Sequence, residues 1–244
     1  MRVSVITVCK NSESTIEKAA KSVISQTYEN REYIIIDGGS TDRTLDIIRK
    51  HEDKVDVLLS EPDSGIYNAM NKGIARSSGD VLFFLNSDDY FHDDQVLSDI
   101  IDEFRKDSEV KVVYGNVVMY DGGSEKLVKH DKVTRKYFYK NTICHQALFA
   151  KKEVYEIVGK FREKYKIHAD TDWLMRAYFE SGNTIKFKYV DRKVCFFSAG
   201  GICSDPVNAE KYKYDRQEIS AKYFAEAKYK LFIKKILRSL GLHI

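Results

Sequence analysis

The sequence predicts an α/β protein with a parallel sheet in its first half and a mixed sheet in its second. Three observations predict it. Short β-rich apolar runs alternate with helical segments from residue 3 to residue 85. The run Val81-Leu82-Phe83-Phe84-Leu85 has no polar residue, as expected of a strand covered on both faces. Beyond residue 107 the pattern changes, and Asp121-Gly122-Gly123-Ser124 has the composition of a hairpin turn.

Taken in order, residues 3–8 form a β-rich run, and residues 14–25 carry apolar Ile16, Ala19, Ala20 and Val23 at helical spacing. Residues 33–36 and 55–59 read as further strands, and residues 41–49 and 65–77 as the helices between them, with Ser64 as an N-cap. Strand-helix-strand alternation of this kind builds a parallel sheet. Residues 81–85 are then the fourth strand, residues 94–104 an amphipathic helix, and residues 110–120 a strand that leads through the Gly-Gly turn into another. No internal repeat or low-complexity linker appears, so a boundary near residues 107–111 separates two halves of one domain: 1–107 and 108–206, followed by a helical region 207–244.

The fourth strand delivers Asn86-Ser87-Asp88-Asp89. Ligands of α/β sheets sit beyond the carboxyl ends of the strands, so Asp88 and Asp89 are held where a ligand belongs. Adjacent carboxylates repel, and a hard cation with oxygen ligands, Mn²⁺ or Mg²⁺, relieves the repulsion while bridging to phosphates. An acidic turn is the alternative reading, because Ser-Asp-Asp is ordinary turn chemistry.

Composition excludes several classes. The chain has 244 residues, 43% of them hydrophobic, enough for a sizeable core. A net charge of +3 with no basic stripe argues against a nucleic-acid partner. Met1-Arg2-Val3-Ser4-Val5-Ile6 lacks the pattern of a signal peptide, and no apolar window approaches about 18 residues. A cytoplasmic location is the expectation. Cys9, Cys144, Cys195 and Cys203 have neither C-x-x-C nor zinc-like spacing, which fits unpaired thiols.

Six segments stand in order along the chain: Val5-Ile6-Thr7-Val8-Cys9-Lys10-Asn11; Ile34-Ile35-Ile36-Asp37-Gly38-Gly39-Ser40-Thr41-Asp42; Asp63-Ser64-Gly65-Ile66-Tyr67-Asn68-Ala69-Met70-Asn71-Lys72-Gly73; Asn86 to Asp89; His145-Gln146; and Ala169-Asp170-Thr171-Asp172-Trp173-Leu174-Met175-Arg176. Together they resemble the family 2 glycosyltransferases with the GT-A fold. The likeness spans roughly residues 1 to 200 in matching order. It implies a Rossmann-like nucleotide-binding half and a metal-dependent, inverting transfer of sugar from a nucleotide donor, UDP-linked by expectation. The acceptor is a hydroxyl of a glycan or lipid-linked molecule in bacterial surface-polysaccharide synthesis. A sugar-1-phosphate nucleotidyltransferase needs a Gly-rich loop after the first strand, where Cys9-Lys10-Asn11-Ser12-Glu13 has none. A non-catalytic glycan-binding module is the other alternative.

By the resemblance, Thr7, Val8, Asn11 and Asp37 border the nucleotide base and ribose. Asp63, Asn68, Lys72 and Arg76 border the phosphates or sugar, and Asp88 and Asp89 hold the metal and ribose. The chain departs from the family where Gly38 stands in place of a second acid, and where Ala169 replaces the usual Glu before Asp170. The transfer needs a general base. Asp170 takes that role, with Asp172 in reserve and helix capping as the plain alternative. His145 begins a strand-like run that reaches the diphosphate or acceptor; His51, His92, His130 and His168 read as surface residues. Gly200-Gly201 reads as a glycine turn or a lid over the donor.

Residues 223–240 place Phe224, Leu231, Ile236 and Leu240 at helical spacing among Lys228, Lys230, Lys234, Lys235 and Arg238. Such a helix suits the anionic face of a membrane. Packing on the domain and a homodimer contact are the alternatives.

Overall fold

The computed structural model describes residues 1–121, 123–131, 133–182, 184–200 and 206–239, without the side chains of 139–140 and 226–239. Among these residues nine strands form one sheet: β1 (Val3–Cys9), β2 (Arg31–Asp37), β3 (Val57–Ser60), β4 (Val81–Phe84), β5 (Tyr90–Phe91), β6 (Val110–Asp121), β7 (Ser124–Val128), β8 (Leu148–Lys151) and β9 (Lys186–Ser198). Their order is β3-β2-β1-β4-β8-β6-β9-β5, with β7 hydrogen-bonded to β6. The chain winds outward from β1 to β3 and returns to β4 on the other side of β1, all four parallel. The carboxyl ends of β1 and β4 therefore flank the point where strand order reverses, the usual crevice for a ligand.

The helices of this half are α1 (Ile16–Ile24), α2 (Thr44–Arg49), α3 (Ile66–Arg76) and α4 (Val96–Lys106). α1 buries the four residues that its spacing selects, Ile16, Ala19, Ala20 and Val23. β1 and β4 are buried at every position, which explains the unbroken apolar run of β4 and the small polar residues, Ser4 and Thr7, that alone interrupt β1. α3 approaches β1 closely because residue 73 is glycine: a Cβ there would lie 2.4 Å from Ile6 Cγ2. Its cap is Gly65, at φ +135°, and not Ser64 as the sequence suggested. Ser64 instead hydrogen-bonds Glu163 at 3.2 Å.

The second half joins the same sheet. β8 pairs antiparallel with both β4 and β6, β6 and β7 form the expected hairpin, and β6 runs parallel to β9 with breaks in register. Phe83 of β4 stacks on Phe149 of β8 at 4.1 Å and on Phe91 of β5 at 5.1 Å, so one core crosses the 107–111 boundary. The remaining helices are α5 (Arg135–Lys140), α6 (Lys152–Val158), α7 (Ala169–Met175) and α8 (Ala209–Ser239). His145 does not begin a strand. It opens a 3-10 turn, His145–Ala147, and β8 starts at Leu148.

The first half of α8 packs on the domain. Buried Asp215 accepts the N–H groups of Ile167, at 2.7 Å, and His168, at 3.2 Å, just ahead of α7. Ile219 and Phe224 are buried, with Phe224 against Phe179. Phe224 therefore has no apolar face left for a membrane. The side chains of Lys228, Lys230, Leu231, Lys234, Lys235, Ile236 and Arg238, all of Leu240, and Gly201 of the glycine pair lie outside the described residues. Among the described residues no helix is long and apolar enough to cross a membrane. Cys9 and Cys195 are free thiols; Cys203 lies outside the described residues.

Candidate functional site

Two acidic positions are joined through one dipeptide. The turn after β4 brings Asp89 into the interior, 1% exposed. Its Oδ2 accepts the Gln146 side-chain amide at 3.0 Å and its Oδ1 accepts the Ser198 N–H at 3.0 Å. The next residue back along the turn, His145, presents Nδ1 to Asp170 Oδ2 at 3.2 Å. The other oxygen of Asp170 accepts the Thr171 N–H at 2.7 Å and lies 3.0 Å from the Tyr67 hydroxyl of α3. The Tyr67 hydroxyl is also 2.5 Å from the Ile167 carbonyl. An unbroken path of contacts thus runs Asp89, Gln146, His145, Asp170, Tyr67.

Electrostatics separate these acids. Burial raises the Asp89 carboxyl to about 7, and adjacent Asp88 adds to the effect. Asp88 is less buried and is also raised, by burial. Burial works in the same direction on Asp170, but the His145 hydrogen bond and charge outweigh it and hold the carboxyl below its ordinary value. Asp170 is therefore ionised at neutral pH and oriented from both sides. His145 Nε2 is buried and has no hydrogen-bond partner.

Among the described residues no three His, Cys, Asp or Glu side chains converge as a ready-made metal cage. The donor set nevertheless suits a divalent cation. Asp88 and Asp89 disfavour each other's charge, and Asn86 Oδ1 is buried without a partner beside them. Mg²⁺ and Mn²⁺ take such oxygen ligands and complete their shells with waters and substrate phosphates.

Other sequence candidates are occupied in shaping loops. Asp37 is fully buried, and its Oδ2 accepts the N–H groups of Gly39 and Ser40 and the Ser60 hydroxyl. Its Oδ1 accepts the Ser40 hydroxyl. Burial pushes its carboxyl up, and these donors more than reverse that. Asn11, at φ +50°, accepts the Thr41 N–H at 2.9 Å. Thr7 and Val8 are buried in β1, with Thr7 Oγ1 bonded to the Tyr33 hydroxyl at 3.2 Å. The exposed loop after that strand begins at Lys10. The loops after β1 and β4 meet where Ser12 and Ser87 hydroxyls stand 2.9 Å apart.

Asp63 accepts the Gly65 N–H at 2.9 Å, and its other oxygen lies 2.2 Å from where a Cβ on residue 38 would stand. Gly38 therefore makes room for this carboxylate. Asn68 donates to Glu163 at 3.1 Å, Lys72 is bound to Glu61 and the Pro62 carbonyl at 2.9 Å each, and Arg76 is exposed. Glu163, which sequence reasoning missed, gathers Ser64, Asn68 and Asn71. Its only sequence signal would have been an isolated acid among charged loop residues.

Asp172 lies apart from the His145 group. It is fully buried and engaged by Arg176 Nε at 2.9 Å and Arg162 at 3.2 Å, so its charge is already neutralised by two guanidinium groups. Two of the histidines read as surface are buried, His130 at 1% exposure and His168 at 7%. His130 lies against Tyr137 and Cys144, and His168 against Tyr212. His51 and His92 are half-buried.

Comparison with known proteins bears on the family and the fold. The family model described as Glycosyl transferase family 2 matches residues 4–194. A PGL/p-HBAD biosynthesis glycosyltransferase of Mycobacterium bovis is 28% identical over 219 residues, covering 86% of this chain and 82% of the relative. An uncharacterized glycosyltransferase of Mycobacterium tuberculosis is 34% identical over 184 residues, covering 72% and 68%. The structure of S. aureus TarS 1-349 in complex with UDP-GlcNAc superposes with a TM-score of 0.74 at 20% identity, over 90% of this chain. This chain spans 66% of that one. The Pyrobaculum calidifontis mannosyltransferase PcManGT, in complex with GDP-Man and Mn²⁺, gives 0.62 at 18% identity, over 93% and 64%. The structural likenesses show the fold that they share, GT-A.

Proposed function

Since this chain belongs to glycosyltransferase family 2, we propose that it moves a sugar from a nucleotide donor, UDP-linked by preference, to an acceptor hydroxyl with inversion at the anomeric carbon. The carrying observation is the pairing of Asp170 with His145 on one side of the path and Asp88-Asp89 on the other, linked by His145-Gln146. Support for the donor comes from the solved structures, in which TarS binds UDP-GlcNAc and PcManGT binds GDP-Man with Mn²⁺.

In this reading Asp170 accepts the proton of the attacking hydroxyl as the new glycosidic bond forms. The bond from the anomeric carbon to the diphosphate breaks, and its electron pair leaves with the phosphate. His145 keeps the carboxylate ionised, and the contacts of its other oxygen with the Thr171 N–H and the Tyr67 hydroxyl aim it. Asp88, with Asn86 and Asp89, would hold Mn²⁺ or Mg²⁺, which when bound neutralises charge on the departing diphosphate. Asp63, Asn68 and the exposed loop after β1 border the donor, while Asp37 and Asn11 shape that loop. Residues 1–107 form the donor half and residues 108–206 the acceptor half.

The acceptor is a hydroxyl on a glycan or lipid-linked molecule; one relative is named for PGL/p-HBAD biosynthesis. Basic residues beyond 227 bring the enzyme to an anionic bilayer. The test is a panel of UDP- and GDP-sugars scored for released nucleoside diphosphate with and without divalent cation. Release from one donor, lost in EDTA and restored by Mn²⁺ or Mg²⁺, is the expected result. No release from any donor, with no nucleotide binding, overturns the reading.

A further inference from the structure

A cavity of about 330 Å³ lies under the first half of α8, bounded by α5, α7 and the segment before β8. Phe138, Met175, Ile219 and Phe224 make its wall apolar, and each is at most 4% exposed. His168 faces it too. This side chain is more than nine-tenths buried, and its Nε2 has no hydrogen-bond partner. Burial holds its imidazole below the ordinary value, so the ring is neutral at pH 7 and one nitrogen can take a polar atom of a ligand.

The position of the cavity is as informative as its lining. His168, Thr171 and Met175 recur at the three- and four-residue spacing that puts side chains on one helical face, and all three line the cavity. Asp170 stands in the same turn, about 100° around the axis from Thr171. The segment 141–145 makes the same connection, with Asn141 in the cavity wall and His145 on Asp170. The cavity and the Asp170 carboxylate thus lie on adjacent faces of the same helical turn. Polar Gln217, Ser220 and Lys213 of α8 also line the cavity, so it is not sealed by hydrophobic packing.

We propose that this cavity binds an apolar aglycone of the acceptor, an aryl or alkyl group attached near the hydroxyl that receives the sugar. The proposal rests on the glycosyltransferase reading above and names the acceptor chemistry for it. A phenyl ring or a short alkyl chain fits the volume and gains by leaving water, while His168 Nε2 meets the polar atom at the junction.

The test measures binding and does not depend on knowing the natural acceptor. Octyl β-glucoside below its micellar concentration, p-nitrophenyl β-glucoside and methyl β-glucoside are titrated against the full chain by ligand-observed NMR. The first two should bind at least about tenfold more tightly than the third, the scale expected for burying two or more methylenes, with the strongest saturation transfer on aglycone protons. Ser220→Trp, which fills the cavity, should abolish the difference; Gln217→Trp repeats the test if the first variant has lost its circular dichroism or melting transition. Equal binding of all three probes, or an aglycone preference that survives a folded filling variant, overturns the proposal. Failure of the underlying reading shows separately, as absence of UDP binding by the unaltered protein.

Discussion

His145 Nδ1 stands 3.2 Å from Asp170 Oδ2, and this contact joins the 3-10 turn before β8 to the first turn of α7. Asp170→Asn preserves shape but removes the proton acceptor. It should lower kcat by about 10²-fold or more while donor affinity changes little. Steady-state transfer and a UDP titration on the same preparation check this. Asp172→Asn should behave differently, because it strands the buried Arg176 guanidinium. A loss of stability on the order of 3–5 kcal/mol is expected, read as a lowered urea midpoint. If Asp172→Asn is stable yet inactive, the two acids have exchanged roles.

Asp88 and Asp89 should also part company. Asp88→Ala removes the more accessible carboxylate and should abolish the Mn²⁺-dependent component of UDP binding with little change in melting temperature. Asp89→Ala additionally leaves the Gln146 amide and Ser198 N–H without their acceptor, at a cost of about 1–3 kcal/mol. Calorimetry of UDP binding with and without Mn²⁺, paired with thermal melts, separates the two effects. Full transfer activity in metal-free, EDTA-treated protein would remove the metal role altogether.

Acid should destabilise the fold through His130. Burial lowers its imidazole to about 4, from an ordinary value of 6.5. The unfolded chain therefore binds the proton first as pH falls. The contribution of neutral His130 is complete above about pH 6.5 and is lost progressively toward pH 4, up to about 3 kcal/mol at about 1.4 kcal/mol per pH unit. His168, also lowered by burial, acts in the same sense. Urea midpoints at pH 7.5, 6, 5 and 4.5 should fall more steeply for the unaltered protein than for His130→Gln. Parallel curves would show that other groups carry the dependence.

Two C-terminal truncations should have opposite outcomes. Removing residues 228–244 leaves Asp215, Ile219 and Phe224 in place, so the melting temperature should hold. Binding to anionic vesicles should weaken by about 1 kcal/mol for each basic residue that contacted the surface, and high salt should release the intact chain. Removing residues 209–244 withdraws Phe224 from Phe179 and the Asp215 carboxylate from the N–H groups before α7, and should unfold or severely destabilise the protein. An intact chain that ignores anionic vesicles at low salt would rule out the membrane contact.

Local pattern was enough to reveal the first half of the fold. Apolar runs with period two or none, and helices with Ile16, Ala19, Ala20 and Val23 at helical spacing, report which face of each element is covered. That is a property of neighbouring residues. The same locality placed Asp88 and Asp89 beyond a strand end and Asp170 in the first turn of a helix. Local pattern could not tell Asp170 from Asp172, two residues apart; the family resemblance alone favoured Asp170. Only packing decides that one faces His145 and Tyr67 while the other is buried between Arg162 and Arg176. Nor could it place His130 and His168 inside, link His145-Gln146 to two acids, or seat Phe224 in the core. Those facts depend on contacts between residues far apart in the chain, such as Gln146 with Asp89 or Asp215 with Ile167, and such pairs leave no periodic trace in either segment. Tertiary structure alone sets them, because a buried charge or imidazole is tolerated only where the fold brings it a partner or a neutral state.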